Sequence, residues 1–262
     1  MSTTPHVHTW VFDRDQDHRY SQLTTVYARS CADQGVPCTV HTMPVPELQG
    51  RPHWASSNHY KLKEWTDWLW QQPDGQLVLI SDSDMFCVRA PERELLDPVG
   101  CVGLTRRSEK LPFNAGMIVV RTGAQARDFF DRWRGLDTRF FLNPAEHSPW
   151  RRKYAGINQA SLGALLESSP EQAAKVHWLR CEDLNLCLPW ANWSRARFVH
   201  VKSGLRKAVF GGPPPPGTVG FLERWQATAV TAGITNVQGP VPRTEYRAPK
   251  TGRYGIKSGG FR

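Results

Sequence analysis

Two carboxylates separated by one residue, Asp82 and Asp84, follow an apolar run in the stretch QLVLISDSDMFCV. Like charges at the tip of a buried strand repel, and each is costly to desolvate without a partner. The pair therefore sits either in a solvated turn, where each Asp bonds a local backbone N–H, or around a cation. Two oxygen-bearing side chains with no cysteine beside them suit a hard ion such as Mg²⁺ or Mn²⁺, which typically joins such carboxylates to the phosphates of a substrate. A second chemical pattern is WRRKY, where Trp150 and Tyr154 flank Arg151, Arg152 and Lys153. Rings beside cations are the mix that binds nucleic acid by stacking and phosphate contact; a solvated charged face is the plainer reading.

The elements that would position these groups alternate between strand and helix. VHTWVF (7–12) reads as a strand, residues 20–34 as a helix stopped by Gly35, and PCTVHTM as a second strand. That order predicts a right-handed parallel crossover. Leu62, Trp65 and Leu69 share a helical face that Ser57 or Asn58 would cap. QLVLI, short and wholly apolar, fits a central strand covered on both faces, and ligands of open α/β sheets bind beyond the carboxyl ends of such strands. CVGLTRR and Gly116–Val120 read as further strands, and AQARDFFDRWR as a helix burying Ala126, Phe129, Phe130 and Trp133. Residues 136–156 read as a long polar connection of the kind that forms lids or binding loops. A short helix carrying Leu162, Leu165 and Leu166, the strands KVHWLR and ARFVHVK, the turn GGPPPPG and a last helix near 219–232 complete the chain. The pattern predicts one α/β domain over 1–238 with a mostly parallel sheet, and a basic tail over 239–262 with no structure of its own.

Composition narrows the class. The chain has 262 residues and a net charge of +9. From residue 241 onward six basic residues face one acid, Glu245. Such excess attracts phosphates, whether of nucleotides, nucleic acid or lipid. No run of 18 apolar residues argues for a membrane span, and the N-terminal stretch lacks the pattern of a secretory signal, so a cytoplasmic protein with reduced cysteines is expected. None of the six cysteines forms a CxxC or zinc-like spacing.

Four segments in order resemble nucleotide-sugar glycosyltransferases of the GT-A fold. QLVLISDSDMFCV resembles their metal-binding D-x-D element, and FNAGMIVVR the segment that lines the donor-sugar pocket. GINQASLGALL resembles the helix start beside the reacting sugar, and FVHVKSGLRK the His-x-x-Gly-x-x-Lys element of the glycogenin-like retaining enzymes. The resemblance implies a Rossmann-like GT-A domain, a UDP-sugar donor, and Mn²⁺ (or Mg²⁺) held by Asp82, Asp84 and His200. It implies that Phe12, Lys61, Asp82, Ser83, Asn114, Ala115, Gly116, Gly204, Arg206 and Lys207 bind the donor. Trp10 and Asp13 lie near the expected base site, and Lys63 is a weaker alternative to Lys61. Asn158 and Gln159 would sit at the reaction centre.

Two departures from the family pattern stand out. One residue is inserted after His200, so Gly204 and Lys207 fall one position late. Asn158 occupies the place of an acid, and an amide cannot serve as base or nucleophile. Retention with the leaving phosphate taking the acceptor proton needs no carboxylate there; inversion needs a base, for which Asp183 and Glu182 are candidates. The acceptor is expected to meet Trp150, Arg151, Arg152 and Tyr154. It is either a polyanion such as DNA carrying hydroxylated bases, or a protein or surface glycan. The rival classes are a non-enzymatic nucleic-acid-binding protein and a metal-dependent phosphohydrolase.

Overall fold

The computed structural model describes residues 4–12, 19–44, 52–107, 112–187 and 192–234. Asp13 and the 239–262 tail lie outside them. The elements in chain order are β1 (His6–Phe12), α1 (Arg19–Asp33), β2 (Cys38–Met43), α2 (His53–Trp70), β3 (Leu77–Ser81), β4 (Met85–Cys87), α3 (Arg93–Leu96), β5 (Val102–Arg106) and β6 (Phe113–Arg121). They continue with α4 (Ala124–Leu142), α5 (Pro144–Tyr154), α6 (Asn158–Ser168), α7 (Pro170–Ala174), β7 (Val176–Arg180), α8 (Cys181–Leu184), β8 (Phe198–His200), α9 (Ser203–Val209) and α10 (Val219–Thr231).

Six strands form the central sheet in the order β2-β1-β3-β6-β5-β7. β1 is parallel to β2 and β3, and β5 to β7, while β6 alone runs antiparallel to both its neighbours. β3 is thus central and buried, as its apolar run requires, with its carboxyl end releasing the chain into Asp82. On one sheet face Ile80, Ile118 and Val120 pack with Leu62 and Trp65 of α2, Trp133 of α4 and Leu162 of α6. Leu23 and Val26 of α1 pack with residues of α9 and α10, Leu205 and Trp225 included. β4 and β8 make a separate antiparallel pair in which Met85 faces His200. That register places His200 beside Asp84, although the two are far apart in sequence.

The structure corrects two expectations. α2 starts at His53 behind Pro52, not at Ser57 or Asn58. The stretch expected to be an open connection is helical: α4 runs on to Leu142 and α5 follows at once. Asn143 caps α5 by accepting from the Glu146 N–H, and Pro144 takes the first-turn place where its missing N–H is harmless. Phe140 and Phe141 of α4 and Tyr154 of α5 are buried, which a solvent-facing loop would not achieve. Asp137, also in that stretch, is wholly buried between His59 (2.7 Å) and Ser161 (2.8 Å). The six cysteines are free thiols, and no helix of the described residues is long and apolar enough to cross a membrane.

A histidine row lies along β1 and β2. His8 Nδ1 is 3.2 Å from His41 Nε2, the His6 ring stacks on His8, and the Trp68 ring lies 4.2 Å from His8 between centroids. Burial, with His6 and His41 adding repulsion, lowers the His8 pKa from 6.5 to about 3. The unfolded chain therefore binds the extra proton between those values, and stability present above pH 6.5 is lost as pH falls toward 3. After discounting for partial exposure the effect is about 1–2 kcal/mol. Melting temperature should fall from pH 7 to pH 4.5, and His8→Gln should flatten that slope; an unchanged slope would refute the assignment.

Candidate active site

A cleft of about 340 Å³ opens where β1 and β3 end and β6 begins. Asp82, Asp84 and His200 converge in it, each offering a ligand atom within 4.8 Å of the others. His200 Nε2 lies 3.1 Å from Asp84 Oδ1 and 3.6 Å from Asp82 Oδ2. Burial raises the Asp84 carboxyl, but the charge and hydrogen bond of His200, then Arg206 and Lys61, outweigh it and hold the pKa at about 2. Burial and Lys202 oppose the His200 imidazolium, yet Asp84 prevails and lifts its pKa to about 9. The proton on His200 stands in for a cation between the two carboxylates. Two oxygen donors and one imidazole on the same small space suit a divalent ion.

A lattice of amides fixes this arrangement. His200 Nδ1 donates to Asn185 Oδ1 at 3.1 Å, which leaves Nε2 turned to the carboxylates. Asn185, fully buried, donates in turn to Asn114 Oδ1 (2.8 Å) and Thr105 Oγ1 (3.0 Å). Asn114 Nδ2 donates to Gln159 Oε1 at 3.0 Å, and the same oxygen accepts the Ala115 N–H at 3.2 Å. Gln159 Nε2 donates to the Tyr154 carbonyl at 3.0 Å. Gly116 has no room for a side chain: a Cβ there would lie 2.5 Å from the His200 ring and 2.7 Å from Asn114 Oδ1. Its carbonyl accepts the Asp82 N–H at 2.9 Å, tying the first ligand to β6.

The cations come from three places. Lys61 on α2 is paired with Asp82, whereas Lys63 faces solvent on Asp67. Arg206 is paired with the Tyr20 hydroxyl and lies 3.5 Å from Asp84 Oδ2. Lys202 lines the cleft two residues after His200. Gly204 and Lys207 are exposed and line no part of the cleft. The reason is helix phase: α9 buries Leu205, Ala208 and Val209, so Arg206 turns inward and Lys207 outward.

Of the other residues singled out from sequence, Phe12, Trp10, Ser83, Asn114, Ala115, Gly116, Asn158 and Gln159 line the cleft. Asp183 does not; it faces Arg197 (3.3 Å) and Arg180 (3.6 Å). Glu182 is exposed outside the cleft. Arg151 and Arg152 lie on the exposed side of α5, while Tyr154 is buried with its hydroxyl on Glu167 and Trp150 stacks against it at 6.3 Å. Neither ring is presented to the cleft. Asn185, Lys202 and Tyr20 escaped the sequence reading. Asn185 sits in the RCEDLN stretch, where attention goes to the acids.

No protein-family model matches the chain, and no curated protein matches it. Solved structures do. A glycosyltransferase involved in glycosylation of the major capsid of PBCV-1 superposes with a TM-score of 0.52 at 15% identity, covering 78% of this chain and 97% of that one. The galactosyltransferase LgtC, solved with donor and acceptor sugar analogs, superposes at 0.47 with 13% identity over 91% and 98%. Mouse xyloside xylosyltransferase 1 does so at 0.41 with 12% identity over 75% and 97%. The fold is GT-A, the α/β architecture of nucleotide-sugar glycosyltransferases. Within it, this chain carries an Asp-x-Asp pair at the end of β3 with a histidine from β8 beside it.

Proposed function

We propose that the protein is a metal-dependent glycosyltransferase that moves a sugar from a UDP-sugar to a hydroxyl acceptor with retention of configuration. The observation that carries this is the convergence of Asp82, Asp84 and His200 in the cleft at the carboxyl end of β3 of a GT-A fold. These three residues would hold Mn²⁺ or Mg²⁺, which when bound offsets the charge of a diphosphate leaving group. Arg206 adds fixed positive charge on the same side. Phe12, half-buried at the carboxyl end of β1, offers a ring to the uracil base beside the buried Trp10. Toward the sugar the wall presents Asn114, Asn158 and Gln159, amides that cannot take up a proton. This favours retention, with the departing phosphate accepting the acceptor's proton, over an inverting route through Asp183, which is held by Arg197.

For the acceptor, exposed Arg151 and Arg152 on α5, whose end leads to Gly156 in the cleft wall, favour a polyanion such as DNA with hydroxylated bases. A protein or glycan acceptor is the alternative. Thermal-shift measurements with UDP, with and without Mn²⁺, test the reading. UDP should raise the melting temperature by several degrees only with the metal; no shift in either condition rejects it. Affinity for duplex DNA should fall steeply with salt, and a flat dependence removes the DNA acceptor.

A further inference from the structure

One wall of the cleft contains an uncapped helix end. α6, eleven residues long, starts at Asn158 with Ile157 before it, no capping side chain and no acid in its first turn. Its start faces the cleft, since Gly156, Asn158 and Gln159 all line it. Asn158 is 7% exposed, yet its carboxamide has no hydrogen-bond partner among the described residues. The neighbouring amides are committed: Asn114 Oδ1 accepts from Gly116 and Asn185, and Gln159 Oε1 from Asn114 and Ala115. Gly156 keeps the approach open with φ +65, a conformation that side-chain-bearing residues rarely adopt.

Free N–H groups and the positive end of the helix dipole favour an anion here. A buried amide aimed into the same space adds a donor. A neutral hydroxyl would leave the helix charge unmet. The acids of the cleft, Asp82 and Asp84, are engaged by Lys61, His200 and Arg206 rather than by this wall. Among the described residues Lys202 has no carboxylate on it, so the cleft carries positive charge beyond what its own acids match.

We infer that the start of α6, with Asn158, receives the carboxylate of the donor sugar, so that the donor is a nucleotide-linked hexuronic acid. The inference rests on the nucleotide-sugar reading above. A planar carboxylate can accept from a backbone N–H and from Asn158 Nδ2 together, and charge-assisted bonds of this kind are the stronger ones.

Calorimetric titration with UDP, UDP-glucose and UDP-glucuronate in the presence of Mn²⁺ tests it without any need for an acceptor. UDP-glucuronate should bind about tenfold or more tighter than UDP-glucose, the size of one good charged hydrogen bond. Asn158→Asp should reverse that order by placing a fixed charge against the carboxylate, and the variant should fold, since an acid suits the first turn of a helix. If UDP fails to bind, the nucleotide reading falls and this one with it. If UDP binds but the two sugars bind equally, or Asn158→Asp leaves their ratio unchanged, the carboxylate site alone is overturned.

Discussion

Replacing Asp84 by Asn is expected to cut metal-dependent turnover of the nucleotide sugar by about 10³-fold, near 4 kcal/mol of transition-state stabilisation. The change is nearly isosteric, so packing is preserved. The charge is what goes. Asp84 faces His200 at 3.1 Å and Arg206 at 3.5 Å, and burial leaves water little chance to substitute. An ion placed there loses one of two anionic ligands, and its affinity should fall with the turnover. Hydrolysis of the nucleotide sugar and Mn²⁺-dependent UDP binding are the measurements. Turnover within tenfold of the parent would show that Asp84 is only a turn residue.

Gly116→Ala should be nearly as damaging although it touches no charge. The added Cβ would stand 2.5 Å from His200 Cε1 and 2.6 Å from Nδ1, inside contact distance. The ring cannot retreat freely, because Nδ1 is held by Asn185 and Nε2 lies 3.1 Å from Asp84. Overpacking of this kind costs about 1–3 kcal/mol in stability. A ligand moved by roughly 1 Å costs on the order of 100-fold in rate. The double variant with Asp84→Asn should be little worse than Asp84→Asn alone, since both act through one site. A Gly116→Ala protein with normal turnover would mean that His200 does not need the position it occupies.

The parts of the site legible in the sequence are those whose meaning is local. The apolar run of β3 sets the strand, and the strand's end sets Asp82 and Asp84. His200 closes another apolar run, so it too could be picked out. What escaped depends on partners distant in the chain. Asn185 matters only because β5, β6 and β8 arrive around it. Lys207, expected at the diphosphate, turns away through the phase of α9, while Lys202, just ahead of that helix, lines the cleft. Asp137 looks like a polar loop residue until His59 and Ser161 are brought to it. α5 was disguised by two prolines, one of which starts the helix while the other, Pro149, lies inside it.

The saturated bonding of Asn114 and Gln159 has a consequence for how this chain can diverge. Both amides are spent on holding the scaffold, so changing either one loosens the frame before it alters selectivity. Asn158 carries no such duty in its side chain: its backbone carbonyl anchors Trp133 and Ser161, while the carboxamide is left over. With the donor site proposed above, substrate preference and structural integrity would be carried by different atoms. A lineage could explore new sugars by point change at one position, with the rest of the architecture shielded from the experiment.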